Sequence, residues 1–386
     1  MWQPDRVRYL GADSATDRFR PRRPTLAMRT VAVTLGLVSV AGACSGAQPA
    51  SSAAQSSPAQ SSPAQSSPAQ SSPALTSAPE ATGLTPATGA AARSIAAQPC
   101  GRTRTPRRWD HIIWIWFENH SLNQTIGATG SRSQRTMPYY NFLARGCGLA
   151  TNYHAITHPS LPNYINAVSG ASTATSNCAP KSCSQRQASL FSVMNRLRKS
   201  WRAYSESMPS LCSKTDKGLY RVKHNPAAYF TNLGISCRRY NQPLGSPARG
   251  NFSAALAGNR VAQFNFVLPN MCNSTHDCSL TTADNWLRAW MPRILNSRAY
   301  RSGRTAVFIS WDEGAGGRSR MACAASQDNS CRIANVVVSP STRRGARSAV
   351  SYSHWSLLRT TEEMLGIRPL LGRAARAYSM RRPFGL

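Results

Sequence analysis

His111-Ile-Ile-Trp-Ile-Trp-Phe-Glu-Asn-His-Ser121 is the stretch that decides the fold. From Ile112 to Phe117 every residue is β-branched or aromatic, with no polar alternation. Such a run suits a strand buried on both faces, the kind found in parallel sheets. It ends abruptly in a carboxylate, an amide, an imidazole and a hydroxyl. Open α/β sheets bind ligands beyond the carboxyl ends of their strands, so Glu118, Asn119, His120 and Ser121 stand where a site is expected. A second run repeats the arrangement: Thr305-Ala-Val-Phe-Ile-Ser-Trp311 leads straight into Asp312-Glu313-Gly314. Two buried strands that both finish in acids suggest a metal-centred enzyme.

Outward from these runs the chain alternates. A helix is predicted from Pro138 to its stop at Gly146, and a short strand over 149–154. Residues 156–170 read as a turn feeding a helix, 190–198 as a helix and 201–204 as a strand. A loop-rich region is expected over 205–260, then a strand over 263–268 and an N-capped amphipathic helix over 284–296. A strand at 333–339 and a closing helix at 354–365 complete the pattern. Alternating β and α predicts an α/β domain with a mostly parallel central sheet and helices on both faces.

The first 99 residues do not share this pattern. Residues 1–44 are an N-terminal extension ending in a basic Arg29, an apolar run from Val31 to Ala43, and Cys44. That is the layout of an export signal, too short to cross a bilayer, for which about 20 apolar residues are needed. Ala41-Gly42-Ala43-Cys44 resembles a lipoprotein box with Cys44 as the lipidated residue, and Met28 is an alternative start. Residues 45–99 are low in complexity, with Ala-Gln-Ser-Ser-Pro repeating every five residues from Ala54 to Pro73. Such a segment cannot bury a core and is expected to tether the domain of residues 100–386 at the cell surface. The alternative is plain cleavage and secretion.

Ten of the 11 cysteines fall in 100–386, and no Cys-x-x-Cys pair occurs. In an exported chain this points to disulfides rather than zinc ligands. The close spacings suggest Cys178–Cys183, Cys272–Cys278 and Cys323–Cys331 as local bridges.

The chain carries 46 Lys and Arg against 15 Asp and Glu, a formal charge of +31, and only five of the cations are lysines. Attraction to phosphate-bearing substrates or an anionic membrane fits this balance, as does the arginine habit of a GC-rich genome. No nucleic-acid motif or basic-aromatic stripe accompanies it, so no specific nucleic-acid partner is expected. The acids are more informative. Only 11 follow residue 99, and Glu118, Asp277, Asp312 and Glu313 among them lie in polar clusters.

Ser160 is the candidate nucleophile. Pro159 and Pro162 flank it in a way that suits a sharp turn into a helix, whose N-terminal end favours an anion. Taken alone, a serine there is more often a helix cap. No Gly-x-Ser-x-Gly elbow surrounds it, which disfavours hydrolase-fold esterase chemistry. A serine needs a base or a metal to become reactive, and Glu118, Asn119, Asp312 and Glu313 could hold a cation to that end.

Taken together, the clusters resemble the bacterial phosphoesterase family of secreted acid phosphatases, phosphoinositide phosphatases and C-type phospholipases, in the alkaline-phosphatase-like superfamily. The motifs are Phe117-Glu-Asn-His-Ser121, Thr157-His-Pro-Ser-Leu-Pro-Asn-Tyr164, Trp201-x-x-Tyr-x-Glu-x-Met-Pro209 and His224-Asn-Pro-x-x-Tyr-Phe230. They continue through Pro269-Asn270 with His276-Asp277, Trp311-Asp-Glu-Gly314 and Tyr352-Ser-His-x-Ser-Leu-Leu-Arg-Thr360. The resemblance implies a metal held by Glu118, Asn119, Asp312 and Glu313, and Ser160 as a nucleophile passing through a phosphoserine. It further implies that His276, Asp277 and His354 converge on the phosphate or on a second metal, with His354 or His276 protonating the leaving group. Asn163 would donate to a phosphate oxygen. Glu206, His224 and Asn225 are left between substrate lining and loop packing, and His120 and His158 are read as supporting hydrogen bonders. Oxygen-rich ligation favours Mg²⁺, Ca²⁺ or Mn²⁺, whereas histidine participation admits Zn²⁺ or Fe. The function implied is an exported, metal-dependent phosphomonoesterase of acid phosphatase type. A phospholipase C-type phosphodiesterase is the alternative, and a catalytically dead, surface-tethered binding protein is a third reading.

Overall fold

The computed structural model describes residues 97–386. The expected export signal, Cys44 and nearly all of the expected tether lie outside the described residues. Nine strands form one sheet: β1 (His111–Phe117), β2 (Gly148–His154), β3 (Trp201–Ser205), β4 (Asn241–Pro243), β5 (Phe264–Leu268), β6 (Thr305–Trp311), β7 (Arg332–Val338), β8 (Ala346–Ser348) and β9 (Tyr352–Ser353). Their spatial order is β4-β3-β5-β1-β6-β7-β2-β8, with β9 also pairing β2. Every pairing is parallel except the two made by β7, so β7 alone runs against the rest. The expected mostly parallel sheet is present.

The longer helices are α1 (Pro138–Gly146), α2 (Ser160–Ser169), α3 (Leu190–Arg196), α4 (Leu280–Leu295) and α5 (His354–Met364). The central strand β1 shows how they cover both faces. On one face Trp116 packs on Tyr164 of α2 and His354 of α5, and Trp114 donates Nε1–H to Thr361 at 3.0 Å. On the other, Phe117 meets Trp286 of α4, and its neighbour Trp311 meets Tyr140 of α1. Period-2 alternation sends successive side chains to opposite faces, and because helices cover both, the strand needs no polar side. Ile112 to Phe117 are fully buried. Each such side chain stabilises the fold by about 1.5–3 kcal/mol relative to leaving it exposed.

Register places the chemistry. β1 and β6 pair with Phe117 opposite Trp311, so the next residues on each, Glu118 and Asp312, emerge side by side. The Asp312 N–H donates to Phe117 O at 3.0 Å, which continues the ladder by one bond and fixes both acids. Beyond β2, a short loop turns into α2. That helix stops at Gly170, where φ is 67° and a Cβ would lie 2.4 Å from the Leu371 carbonyl oxygen. Only glycine suits such a position.

Five disulfides staple the fold: Cys100–Cys147, Cys178–Cys183, Cys212–Cys237, Cys272–Cys278 and Cys323–Cys331. The three expected local bridges are among them. Two expectations differ. The region 205–260 is more ordered than a loop, holding three single-turn 3₁₀ segments, a short helix Ile235–Tyr240, β4 and a helix Asn251–Ala257. Helix α4 starts at Leu280 rather than near Asp284, because Ser279 caps it by accepting from Thr282 N.

Candidate active site

The site gathers at the carboxyl ends of β1 and β6. Glu118 is fully buried; its Oε2 accepts from the Ser160 hydroxyl at 3.0 Å, and its Oε1 accepts from the Tyr164 hydroxyl. Asp312, also fully buried, accepts at Oδ1 from Glu313 N at 2.7 Å and Asn119 N at 3.2 Å. Asn119 takes φ = 60° to present that N–H, a conformation asparagine tolerates better than most residues. Glu313 accepts from Asn163 Nδ2 at 3.0 Å and lies 3.4 Å from His158 Nδ1. Ser160 opens the first turn of α2, where the helix end favours negative charge. The structure thus brings Ser160, Glu118, Asn119, Asp312 and Glu313 together from three separate segments.

Three buried carboxyls so close cannot all ionise cheaply. Burial, followed by the Glu118 charge, pushes Asp312 well above the usual carboxylate range. Burial, with Asp312 and Glu118 beside it, raises Glu313 to about 10. Burial raises Glu118 as well, although Lys223 and hydrogen bonds from its neighbours oppose the rise. Stray carboxylates would relax this repulsion by exposure; these are held by strand register.

The donor set fits a divalent cation. Asp312 Oδ2 is buried with no hydrogen-bond partner. So is His224 Nε2, although it lies 3.1 Å from Glu118 Oε2. Two buried polar atoms without a hydrogen-bond partner, beside the paired Glu118 and Asp312 carboxyls, suit a shared cation. Among the described residues, the His, Cys, Asp and Glu triple with ligand atoms within 4.8 Å of one another is elsewhere: His158, Cys323 and Cys331. Those sulfurs are bonded to each other, so they supply no thiolate. The acids meet in pairs rather than as a closed triple.

The remaining expected site residues divide. His276 and Asp277 sit at the rim as a dyad: Lys223 Nζ donates to His276 Nε2 at 3.2 Å, so Nδ1 carries the proton and donates to Asp277 Oδ1 at 2.7 Å. Asn163 differs from its expected role. Its Nδ2 donates to Thr157 O at 2.7 Å and to Glu313, while Oδ1 accepts from Ile156 N and Thr157 N. Both amide protons are used inside a fully buried brace, which leaves none for a phosphate oxygen. His354 differs likewise. Its Nε2–H donates to the Asp312 carbonyl at 2.6 Å, and its Nδ1 accepts from the Tyr153 hydroxyl at 3.2 Å. A carbonyl can only accept, so the ring is the neutral Nε2–H tautomer, and burial holds its pKa down at about 3. A fully buried imidazole with both nitrogens engaged positions Asp312 rather than protonating a leaving group.

Tyr164, Lys223 and His224 were not assigned from sequence. Tyr164 is one helical turn beyond Ser160 and stacks on His224 at 5.5 Å between ring centroids; its place in the Ser160 motif was the available signal. Sequence leaves His224 between two roles, and the structure points its Nε2 at Glu118. Lys223 is half-buried, and its charge acts on Glu118, Glu313 and His224. Being one of five lysines in an arginine-dominated chain was the only hint. Lys223→Met is expected to lower kcat/KM for a phosphate monoester by roughly 10²-fold, the usual scale for losing one charge-stabilising group. Lys223→Arg is expected to recover part of this, and an unchanged kcat/KM in Lys223→Met would remove Lys223 from the site.

A serine hydroxyl in the first turn of a helix, bonded to one of two paired buried acids, is an arrangement of the kind that phosphoryl transfer uses. A family model for the phosphoesterase family matches residues 116–368. The chain belongs to that family. It is 26% identical to an acid phosphatase of Aspergillus fumigatus over 276 residues, covering 69% of this chain and 56% of that one. It is 25% identical to a phosphatidylinositol-3-phosphatase of Mycobacterium tuberculosis over 277 residues, covering 69% of this chain and 80% of that one. The chain thus spans little more than half the length of the fungal relative. Among solved structures, an alkaline phosphatase superfamily protein from Vibrio parahaemolyticus is 9% identical with a TM-score of 0.47, covering 77% of this chain and 79% of that one.

Proposed function

We propose that residues 100–386 are an exported, metal-dependent phosphoesterase that hydrolyses phosphate monoesters with Ser160 as nucleophile. The observation that carries this reading is the Ser160 hydroxyl donating to the buried Glu118 carboxyl beside Asp312. Glu118 is placed to take the Ser160 proton as Oγ bonds to phosphorus and the ester P–O bond breaks. The positive end of α2 and the Lys223 ammonium favour the anionic phosphoryl group. At the rim the Lys223 ammonium, hydrogen-bonded to His276 Nε2 and with that ring oriented by Asp277, is the proton-bearing group able to protonate the departing oxygen. Water then hydrolyses the phosphoserine, returning the proton to Ser160. Glu118, Asn119, Asp312 and Glu313, with His224 at their edge, would hold a divalent cation. Such a cation lowers the pKa of a hydroxyl and neutralises phosphate oxygens.

The Lys223 charge favours monoesters, which carry one more anionic oxygen than diesters. Export is supported by the five disulfides, which persist in oxidising compartments. Lipidation at Cys44 would place the enzyme at the cell surface; among the described residues no helix is long and apolar enough to cross a membrane. Hydrolysis of p-nitrophenyl phosphate against bis(p-nitrophenyl) phosphate tests the ester class. The monoester is expected to have the higher kcat/KM, and a marked diester preference would favour the phospholipase C-type reading.

A further inference from the structure

A groove unconnected with the proposed chemistry runs beside the catalytic segment. It consists of two adjoining cavities, of about 570 and 270 Å³, that share Ala324, Trp355 and Arg373 as walls. One end reaches Thr157, three residues before Ser160, and Trp355 directly follows His354. Arg320, Arg373 and Arg376 line it, and no acid does. None of these three guanidinium groups has an ion-pair or hydrogen-bond partner among the described residues. Arg373 lies over the Trp355 ring at 4.8 Å, while Trp355 Nε1–H is used inward on Asn166 Oδ1 at 3.1 Å. The Arg373 guanidinium stacked on the indole and the Trp355 ring together form one wall of the groove. At the outer rim Tyr378 is 65% exposed.

The segment bearing these groups is held in place. Arg373 N donates to the Gly170 carbonyl at 2.9 Å, and Arg359 Nη1 bonds the carbonyls of Ala375 and Ala377 on either side of Arg376. Unpaired guanidinium groups, two of them on a held backbone segment, beside amphipathic aromatic rings match the polar-apolar boundary of an anionic bilayer. There phosphates meet Arg while Trp and Tyr sit at headgroup level.

We propose that this groove docks an anionic phospholipid at a bilayer surface, with Arg320, Arg373 and Arg376 on its phosphate and Trp355 and Tyr378 along its glycerol and upper acyl region. The inference does not depend on the catalytic reading, because docking requires no hydrolysis. The full chain is to be sedimented with phosphatidylcholine vesicles, with and without phosphatidylglycerol. Binding is expected to be markedly stronger with phosphatidylglycerol, above any share that a lipidated Cys44 contributes to both vesicle types. In Arg373→Ala/Arg376→Ala it should fall roughly thirtyfold, the scale set by two basic side chains near an anionic surface. Tyr378→Ser should weaken it further. The charge-matched Arg293→Ala/Arg298→Ala pair, which lines a separate cavity, should cost no more than about threefold, the share due to net charge alone. Equal losses in both pairs would reduce the effect to net charge and overturn the proposal. So would unchanged binding in Arg373→Ala/Arg376→Ala, or displacement from vesicles by soluble glycerol phosphate, which would make it a small-anion site. Hydrolysis of p-nitrophenyl phosphate is expected to stay within about twofold in Arg373→Ala/Arg376→Ala, since a surface change away from the chemistry leaves turnover intact. Vesicle binding can thus fail while the esterase stands, and the reverse.

Discussion

Ser160→Ala is expected to lower kcat for phosphate monoesters on the order of 10⁴-fold, the scale seen when a nucleophile is removed from a preorganised site. The structural cost is small. Ser160 is 2% exposed and its hydroxyl makes one bond, to Glu118 Oε2. Its loss removes about 1 kcal/mol, and Glu118 keeps the Tyr164 hydroxyl. The backbone turn is set by Pro159 and Pro162, which the substitution leaves alone. The variant should therefore melt within a few degrees of the parent while turning over almost nothing. Acid quench during turnover, followed by mass spectrometry of the peptide containing Ser160, should trap a phosphoserine in the parent and none in the variant. Undiminished hydrolysis by Ser160→Ala would refute the nucleophile, and a collapsed melting temperature would make the loss uninformative. In that second case Ser160→Gly, which keeps the cavity polar and open to water, repeats the test.

The strand ends were legible because two signals coincided in one short stretch. An unbroken apolar run specifies a strand covered on both faces, and a sudden acid at its end has no packing reason to be there. Ile112–Phe117 before Glu118 carries both signals in full, Ala306–Trp311 before Asp312 carries them with one interruption at Ser310, and parallel register does the rest. The reversed direction of β7 was not legible, since Ile333-Ala-Asn-Val-Val-Val338 reads the same either way. Asp284 shows why the start of α4 was misplaced. It is a good capping residue, but it caps another helix, accepting from Tyr139 N and Tyr140 N at the start of α1. Capping is a fact of space, and sequence proximity only suggests it. The same holds within the site. Motif position marks Asn163 and His354 as important, but only the fold reveals their partners, the Glu313 carboxyl for Asn163 and the Asp312 carbonyl for His354. Lys223 is brought within electrostatic range of the acids by the fold alone, its hydrogen bond going to His276, and no local pattern announces that.

The acid cluster should behave as a site held against its own repulsion, and Asp312→Asn exposes this. Activity is expected to fall at least about 10³-fold, because the substitution removes a charge from the proposed cation site, where electrostatics would dominate catalysis. Stability in a chelator should move the other way. The amide introduced by Asp312→Asn can keep the two bonds from Asn119 N and Glu313 N while relieving the like charges of Glu118 and Glu313. The pH dependence follows from the raised pKa values. A carboxyl such as Glu313, at 4.5 in ordinary surroundings and about 10 here, binds its proton more tightly in the folded chain. Its stabilising contribution is present in acid and is lost as pH rises toward the folded value. The buried histidines His224 and His354 act oppositely, but only around and below their ordinary 6.5, since burial keeps them neutral in the fold. Between about pH 7 and pH 9 the carboxyls therefore govern. In that window the chelated parent should lose melting temperature with rising pH, and Asp312→Asn should lose less. Adding a divalent cation should raise the parent, most strongly at the higher pH where the ligands ionise for it, and should barely affect the variant. A chelated parent that gains stability from pH 7 to 9, or a variant that gains as much from the cation as the parent does, would refute the reading of this cluster as a cation site.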